Sequence, residues 1–147
     1  MKKQHGFTLI ELLVVIGILA VLLSIVLIAI NPARQFALAN NTKRASDTNA
    51  ILNAINQYSA DNRGALPAGI TTTAQNISNT AANLCTALAT TYLAALPVDP
   101  SINNGAPVTD CTAAYDTGYT VVRSATNNRL TVAAPQAELS QVISVTR

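Results

Sequence analysis

Glu11 is the one charged residue in a stretch that otherwise contains only apolar or small residues from Phe7 to Ile30. A charge at the centre of a membrane helix costs about 2.5–3.5 kcal/mol on insertion scales, so such residues usually have a function. The single histidine, His5, lies before Gly6, and the sequence shows no catalytic constellation that Glu11 could join. The carboxylate therefore indicates a role in assembly rather than in catalysis.

The stretch from Phe7 to Ile30 predicts a membrane-spanning helix of about 36 Å, which exceeds a hydrocarbon core of about 30 Å. Lys2 and Lys3 precede it, and the positive-inside rule places them in the cytoplasm and the rest of the chain outside. A cleaved secretory signal would have a shorter apolar core and an Ala-x-Ala-like site. A simple membrane anchor fits the length but has no need of Glu11.

The residues MKKQHG, followed by FTLIELLVVIGILAVL, resemble the start of type IV pilins and of type II secretion pseudopilins. The resemblance implies that a membrane aspartyl peptidase, the prepilin peptidase, cuts after Gly6 and methylates the new amine of Phe7. It also implies that Glu11 pairs with the N-terminal amine of a neighbouring subunit during assembly. Phe7 and Glu11 are four positions apart, which would place them on one helix face. The expected partners are copies of this chain, the peptidase, the assembly machinery in the membrane, and lipid before assembly.

Gly17, Ala20 and Ser24 are small residues at helical spacing. Such a stripe lets neighbouring helices approach closely, although small residues are common in membrane spans.

A second helical pattern follows the span. Asn31-Pro32 suits a helix N-terminus, so the helix either restarts there or bends and continues as one long helix to about residue 62. Many members of the resembled family have a helix-breaking proline near Ile28, which this chain lacks. The predicted buried face, at spacings of three, four and seven, contains Phe36, Ala37, Ala45, Ile51, Leu52, Ile55 and Tyr58. Gly64 is the predicted left-handed cap.

The remaining residues predict a small head. Residues 68–80 suggest a loop and residues 81–89 a short helix, whereas β-branched runs at 119–123, 130–133 and 142–145 suggest strands. The expected class is α+β, in which a long N-terminal helix, membrane-spanning in its first half, packs its second half on a small antiparallel sheet. The predicted divisions are a leader at 1–6, the membrane and polymerisation helix at 7–30, its outer half at 31–64 and the head at 65–147.

Cys85 and Cys111 are the only cysteines. Both are expected outside the cytoplasm, where disulfides persist. A disulfide is favoured over two free buried thiols or a metal site, since zinc sites need further ligands.

The sequence shows no catalytic constellation, and we expect neither an enzyme nor a cofactor. Asp99, Asp110 and Asp116 are calcium candidates, with solvated turn residues as the favoured alternative. Nine Lys and Arg against seven Asp and Glu give a net charge of +2, to which the leader lysines contribute. The mature chain is thus close to neutral, which gives no strong nucleic-acid signal. Lys43, Arg44, Arg34 and Arg63 are expected on a solvated helix face or in intersubunit pairs with Asp47 and Asp61.

The sequence thus predicts a structural subunit of a type IV pilus-like filament. It would enter the cytoplasmic membrane of a bacterium as a single-pass precursor and end in an extracellular or periplasmic filament. A major pseudopilin is the alternative within the family, followed by a competence pilin. The alternative of another class is a monomeric, membrane-anchored extracellular binding domain.

Overall fold

The computed structural model describes residues 6–147. Residues 1–5, with Lys2, Lys3 and the rest of the predicted leader before Gly6, lie outside the described residues. The chain divides between Phe36 and Ala37 into two compact units, which are described separately. A long apolar helix, a second helix and a four-stranded antiparallel sheet confirm the predicted α+β class.

Helix α1 spans Leu9–Ile30, and helix α2 spans Pro32–Asp61. Asn31 between them has φ 46° and ψ 78°, in the left-handed region, so the predicted single helix is wrong and the alternative of a restart is confirmed. The side-chain Oδ1 of Asn31 accepts the Arg34 N–H at 3.3 Å. Asn31 ends α1 and caps the start of α2, while Pro32 occupies a position where its missing N–H is not needed.

The buried face of α2 is polar in its first half and apolar in its second. Ile51, Leu52 and Ile55 are buried as predicted, whereas Phe36 is 72% exposed and Ala45 is also exposed. The first half of the face instead contributes Asn41, Arg44 and Thr48. The apolar pattern did not predict this part of the buried face, because most of its buried side chains are polar. The helix ends at Asp61, and Gly64 has φ 89° as predicted for the cap.

The sheet contains β1 Gln75–Ser78, β2 Asp116–Arg123, β3 Leu130–Ala134 and β4 Ile143–Thr146, in that order and all antiparallel. The three predicted strands are present, but the predicted loop at 68–80 contains β1. This strand was missed because three of its four residues are polar. The predicted helix at 81–89 is reduced to α3, Cys85–Leu88.

The core lies between the second half of α2 and one face of the sheet. Alternate residues of β2 and β3 are buried, as expected for strands with one face on a core. The fully buried apolar side chains include Ile51, Leu52, Ile55, Ile77, Leu84, Leu88, Tyr119, Val121 and Val132. The predicted disulfide is confirmed and joins Cys85 of α3 to Cys111, with 5.4 Å between their Cα atoms.

Candidate functional site

Glu11 lies in the first turn of α1 and forms a capping box with Thr8. The Glu11 side-chain Oε2 accepts the Thr8 backbone N–H at 2.7 Å and the Thr8 hydroxyl at 2.7 Å. The Thr8 Oγ1 in turn accepts the Glu11 N–H at 3.3 Å. This arrangement satisfies backbone donors that a helix N-terminus leaves unpaired. It also orients the carboxylate toward the end of the helix, where the dipole favours negative charge.

Gly6 and Phe7 precede this cap and are exposed, Phe7 by 84%. Thr8 is extended, with φ −80° and ψ 152°, so the helix does not reach Phe7. The expectation that Phe7 and Glu11 share a helix face is therefore wrong for this chain, because the capping residue turns the backbone out before Phe7. The bond that the resembled peptidase would cut lies in an exposed, non-helical segment.

No side chain of α1 is buried within the described part of the chain. The helix is long and apolar enough to cross a membrane, although a signal sequence would satisfy the same criterion. Gly17, Ala20 and Ser24 are all exposed, and the Ser24 hydroxyl donates to the Ala20 carbonyl at 2.8 Å. Because that bond satisfies the Ser24 hydroxyl within its own helix, the stripe exposes only small side chains without an unpaired donor. Its contact with neighbouring helices stays a prediction.

The second group of charges surrounds Arg44 in the head unit. The side chain of Arg44 is 1% exposed, and its Nε and Nη2 donate to the two carboxylate oxygens of Asp99 at 2.7 and 3.0 Å. Its Nη1 donates to Glu138 Oε2 at 2.7 Å and to Asn41 Oδ1 at 2.9 Å. Asn41 also receives the Glu138 N–H at 2.9 Å. The predicted solvated position of Arg44 is wrong, since the head supplies partners that the local sequence does not show.

A close backbone contact with β2 places Asp99 beside this guanidinium. Asp99 lies between Pro97 and the Pro100 turn, and its backbone N–H donates to Thr117 of β2 at 2.8 Å. Gly118, with φ 75°, permits this close approach, because a Cβ there would lie 2.5 Å from the Ile102 Cδ1 atom. The prediction of a solvated Asp99 is therefore wrong. Asp99 is fully buried, because its backbone packs against β2 and its carboxylate pairs with Arg44.

The hydrogen bonds of this cluster control its ionisation. Burial raises the pKa of Asp99, but the bonds from Arg44 and Ser101 outweigh it and lower that pKa overall. The bond from Arg44, followed by the bond from Asn40, lowers the pKa of Glu138. The bond to Asp99 raises the pKa of Arg44. The three groups therefore stay charged at neutral pH and form a structural ion cluster.

The three calcium candidates do not form a common site. Asp99 is engaged by Arg44, while Asp110 accepts the Thr112 N–H and hydroxyl at 2.8 and 2.7 Å. Asp116 accepts the Gly118 N–H at 2.9 Å. Within residues 6–147, no group of three or more His, Cys, Asp or Glu side chains has an arrangement that would hold a metal.

Two functional features escaped the sequence analysis. The capping box was visible in principle, because Thr-x-x-Glu before an apolar run is its signature. The Arg44 cluster gave no such signal, since its partners lie 55 and 94 positions away.

Lys43 pairs with Asp47 of its own helix at 2.8 Å, so the charged partner predicted in a neighbouring subunit is supplied within this chain.

Residues 1–27 match the family model described as the prokaryotic N-terminal methylation motif. Searches among curated proteins and among solved structures found no match. The motif covers Gly6, Phe7 and Glu11 as well as most of α1. The match supports a type IV pilin-like class III signal peptide at residues 1–27, and with it a pilin- or pseudopilin-type substrate of prepilin peptidase.

Proposed function

We propose that this chain is the structural subunit of a type IV pilus-like filament. The observation that carries the proposal is α1, which beyond its first turn with Glu11 is apolar on every side, and which is exposed along its whole length. Soluble monomers rarely expose apolar patches beyond a few hundred Å². Such a helix is stable in lipid, or against other apolar helices once it leaves the membrane.

The Glu11 carboxylate supplies the polar contact for assembly. Both of its hydrogen bonds from Thr8 end on Oε2, and no donor of residues 6–147 contacts Oε1. Cleavage after Gly6 releases the Phe7 amine, which is positive and strongly hydrated. In an apolar surrounding, the amine and the carboxylate are each stabilised by a partner of opposite charge. An amine from a neighbouring copy that reaches Oε1 would fix the axial position of one subunit against the next.

The head unit supports a structural role of another kind. Its hydrophobic core, its disulfide and its buried Arg44 cluster hold a compact domain on the outer part of α2. A domain of this construction can decorate a filament without taking part in polymerisation. The same features would serve a pseudopilin, and the observable difference is whether filaments reach the cell surface.

The proposal is tested by expressing the full chain together with its peptidase and assembly machinery. Material sheared from the cells is analysed by intact mass and N-terminal sequencing. We expect a chain that begins at a methylated Phe7. Recovery of a chain that retains Met1 and stays in the membrane fraction would identify an uncut monomeric anchor and overturn the proposal.

A Glu11→Ala variant isolates the carboxylate. We expect it to be processed and inserted in the membrane but absent from sheared material. Asp110→Asn is the matched control, since it removes one negative charge from an exposed residue of the head, and it should assemble normally. Equal filament yield from wild type and Glu11→Ala would contradict the assigned role of Glu11.

A further inference from the structure

At one end of the head core, two arginines flank a leucine on the same face of the sheet. Arg123, the last residue of β2, is the register partner of Leu130, the first residue of β3. Leu130 in turn exchanges two backbone hydrogen bonds with Arg147, at 2.7 and 3.0 Å. Directly paired residues project their side chains to the same side. Because strands lie about 4.8 Å apart, the Cα atoms of Arg123 and Arg147 are ~10 Å from each other.

This side of the sheet faces α2. In β2, Thr117, Tyr119 and Val121 are buried on the core side, and Arg123 continues their alternation. The Arg147 Nη1 donates to Asn53 Oδ1 of α2 at 2.6 Å. The two arginines thus extend the core-facing rows of the sheet beyond the last apolar residues, opposite the end of α2.

A cavity of about 750 Å³ lies at this place. The cavity is lined by the two arginines, by polar side chains and by residues of the segment after α2. Within residues 6–147, no side-chain carboxylate lines it. The lining residues are Asn56, Ser59, Gly64, Ala65, Leu66, Pro67, Ala68, Gly69, Ile70, Arg123, Asn128, Leu130 and Arg147.

Arg123, which lines this cavity, is half-buried and has one unsatisfied donor. Its Nε atom is buried and has no hydrogen-bond partner among the described residues. A buried donor without an acceptor costs about 1–3 kcal/mol, and more when the group is charged. By contrast, the buried guanidinium of Arg44 has acceptors at Nε, Nη1 and Nη2. The head therefore places two side-chain carboxylates against the buried Arg44, whereas half-buried Arg123 pairs with no side-chain carboxylate of residues 6–147.

We propose that this cavity, the Arg123–Arg147 cavity, binds a small hydroxylated ligand that bears an oxyanion. The guanidinium groups match the bidentate geometry of a carboxylate or phosphate. Asn56, Ser59 and Asn128 supply neutral donors and acceptors suited to ligand hydroxyl groups. Acidic sugars and sugar phosphates share this chemistry. The proposal concerns the head alone and does not depend on filament assembly.

The test uses the ¹⁵N-labelled full chain in detergent micelles, titrated separately with glucuronate, glucose 6-phosphate and glucose. We expect at least one of the two anions to produce saturable shifts of the backbone amides of Gly64, Gly69, Leu130 and Arg147. Glucose, which lacks the charge, should produce none. Binding of glucuronate alone identifies a carboxylate site, and binding of glucose 6-phosphate alone identifies a phosphate site.

Variants separate the site from general charge effects. Arg123→Gln should weaken binding of the anion about tenfold, because a charge-assisted hydrogen bond is lost. Arg129→Gln removes the same charge from an exposed residue of the same hairpin, and it should change the affinity less than about twofold. Arg147→Gln, with a similar expected loss, serves as the second variant if Arg123→Gln does not fold.

Three results would overturn the proposal. The first is an absence of saturable shifts with both anions. The second is glucose binding as tightly as the anions. The third is an equal loss of affinity in Arg129→Gln and in the cavity variants.

Discussion

Glu11 is a charged residue of an apolar helix and Arg44 a charged residue inside the head, and their hydrogen-bond partners lie at very different distances along the chain. Glu11 bonds only to Thr8 within the described residues, three positions away. Arg44 bonds to Asn41 nearby but also to Asp99 and Glu138, which lie 55 and 94 positions along the chain. The head satisfies its buried charge through its own fold, whereas Glu11 Oε1 has no donor among residues 6–147, as the proposed contact with a second copy requires.

The largest expected effect concerns the cleavage site itself. A Cβ added at Gly6 would meet nothing within 4 Å, so Gly6→Val should leave the fold of the chain intact. It should nevertheless abolish processing, because the peptidase must accommodate the residue before the cut. Gly17→Val is the matched control, since a Cβ at Gly17 also meets nothing within 4 Å, and it should be cut normally. Mass spectrometry of membranes measures both, and normal cleavage of Gly6→Val would contradict the predicted site.

The next largest effect is expected in the head. Arg44→Met should lower the free energy of unfolding by about 3–5 kcal/mol, because it leaves the Asp99 carboxylate buried without its main partner. Lys43→Met removes the neighbouring cation, which is 43% exposed, and should cost less than about 1 kcal/mol. Urea unfolding of the full chain in micelles measures the difference. Equal losses would show that Arg44 does not organise the head.

The structure explains which features the sequence revealed. The apolar span, the cleavage motif and the cap at Gly64 are local, so their residues lie next to each other in the chain. The strands at 119–123 and 130–133 carry period-two burial that the sequence displays directly. Strand β1 shows no apolar alternation because Ile77 is its only apolar residue. The first half of α2 shows none because its buried polar side chains bond to Asp99 and Glu138, far along the chain. Local rules cannot anticipate those contacts.

Removing the disulfide between Cys85 and Cys111 measures how much this bond stabilises the head. Replacing Cys85 and Cys111 together by Ser should lower the free energy of unfolding by about 3 kcal/mol, since the bond restricts the unfolded chain. Dithiothreitol should reproduce the loss in the wild type and have no effect on the double variant. An unchanged urea midpoint would show that packing alone holds α3 in place.

Acid should weaken the Arg44 cluster, whereas changes of pH near neutrality should leave the stability of the head unchanged. The pKa values of Asp99 and Glu138 are lowered in the folded chain, so these groups stabilise the fold above their unfolded pKa values of about 3.9 and 4.3. The stabilisation is lost as pH falls through the lower folded values. The urea midpoint should be flat from about pH 7 to 5 and fall below about pH 4. Asp99→Asn should reduce that fall, and an identical acid slope in this variant would contradict the contribution of Asp99.

The smallest effect is expected at the helix cap, where it would show how Glu11 is held. Thr8→Val removes the acceptor of the Glu11 N–H and one donor to the carboxylate. Loss of a helix N-cap costs about 1 kcal/mol, which corresponds to about fivefold faster hydrogen exchange at the Glu11 amide. Thr8→Ser keeps the hydroxyl and should exchange at the wild-type rate. If Thr8→Val also exchanges at that rate in lipid nanodiscs, Thr8 does not orient Glu11. If exchange accelerates as expected, the carboxylate that we propose to bind a neighbouring copy is already positioned by Thr8 of its own chain.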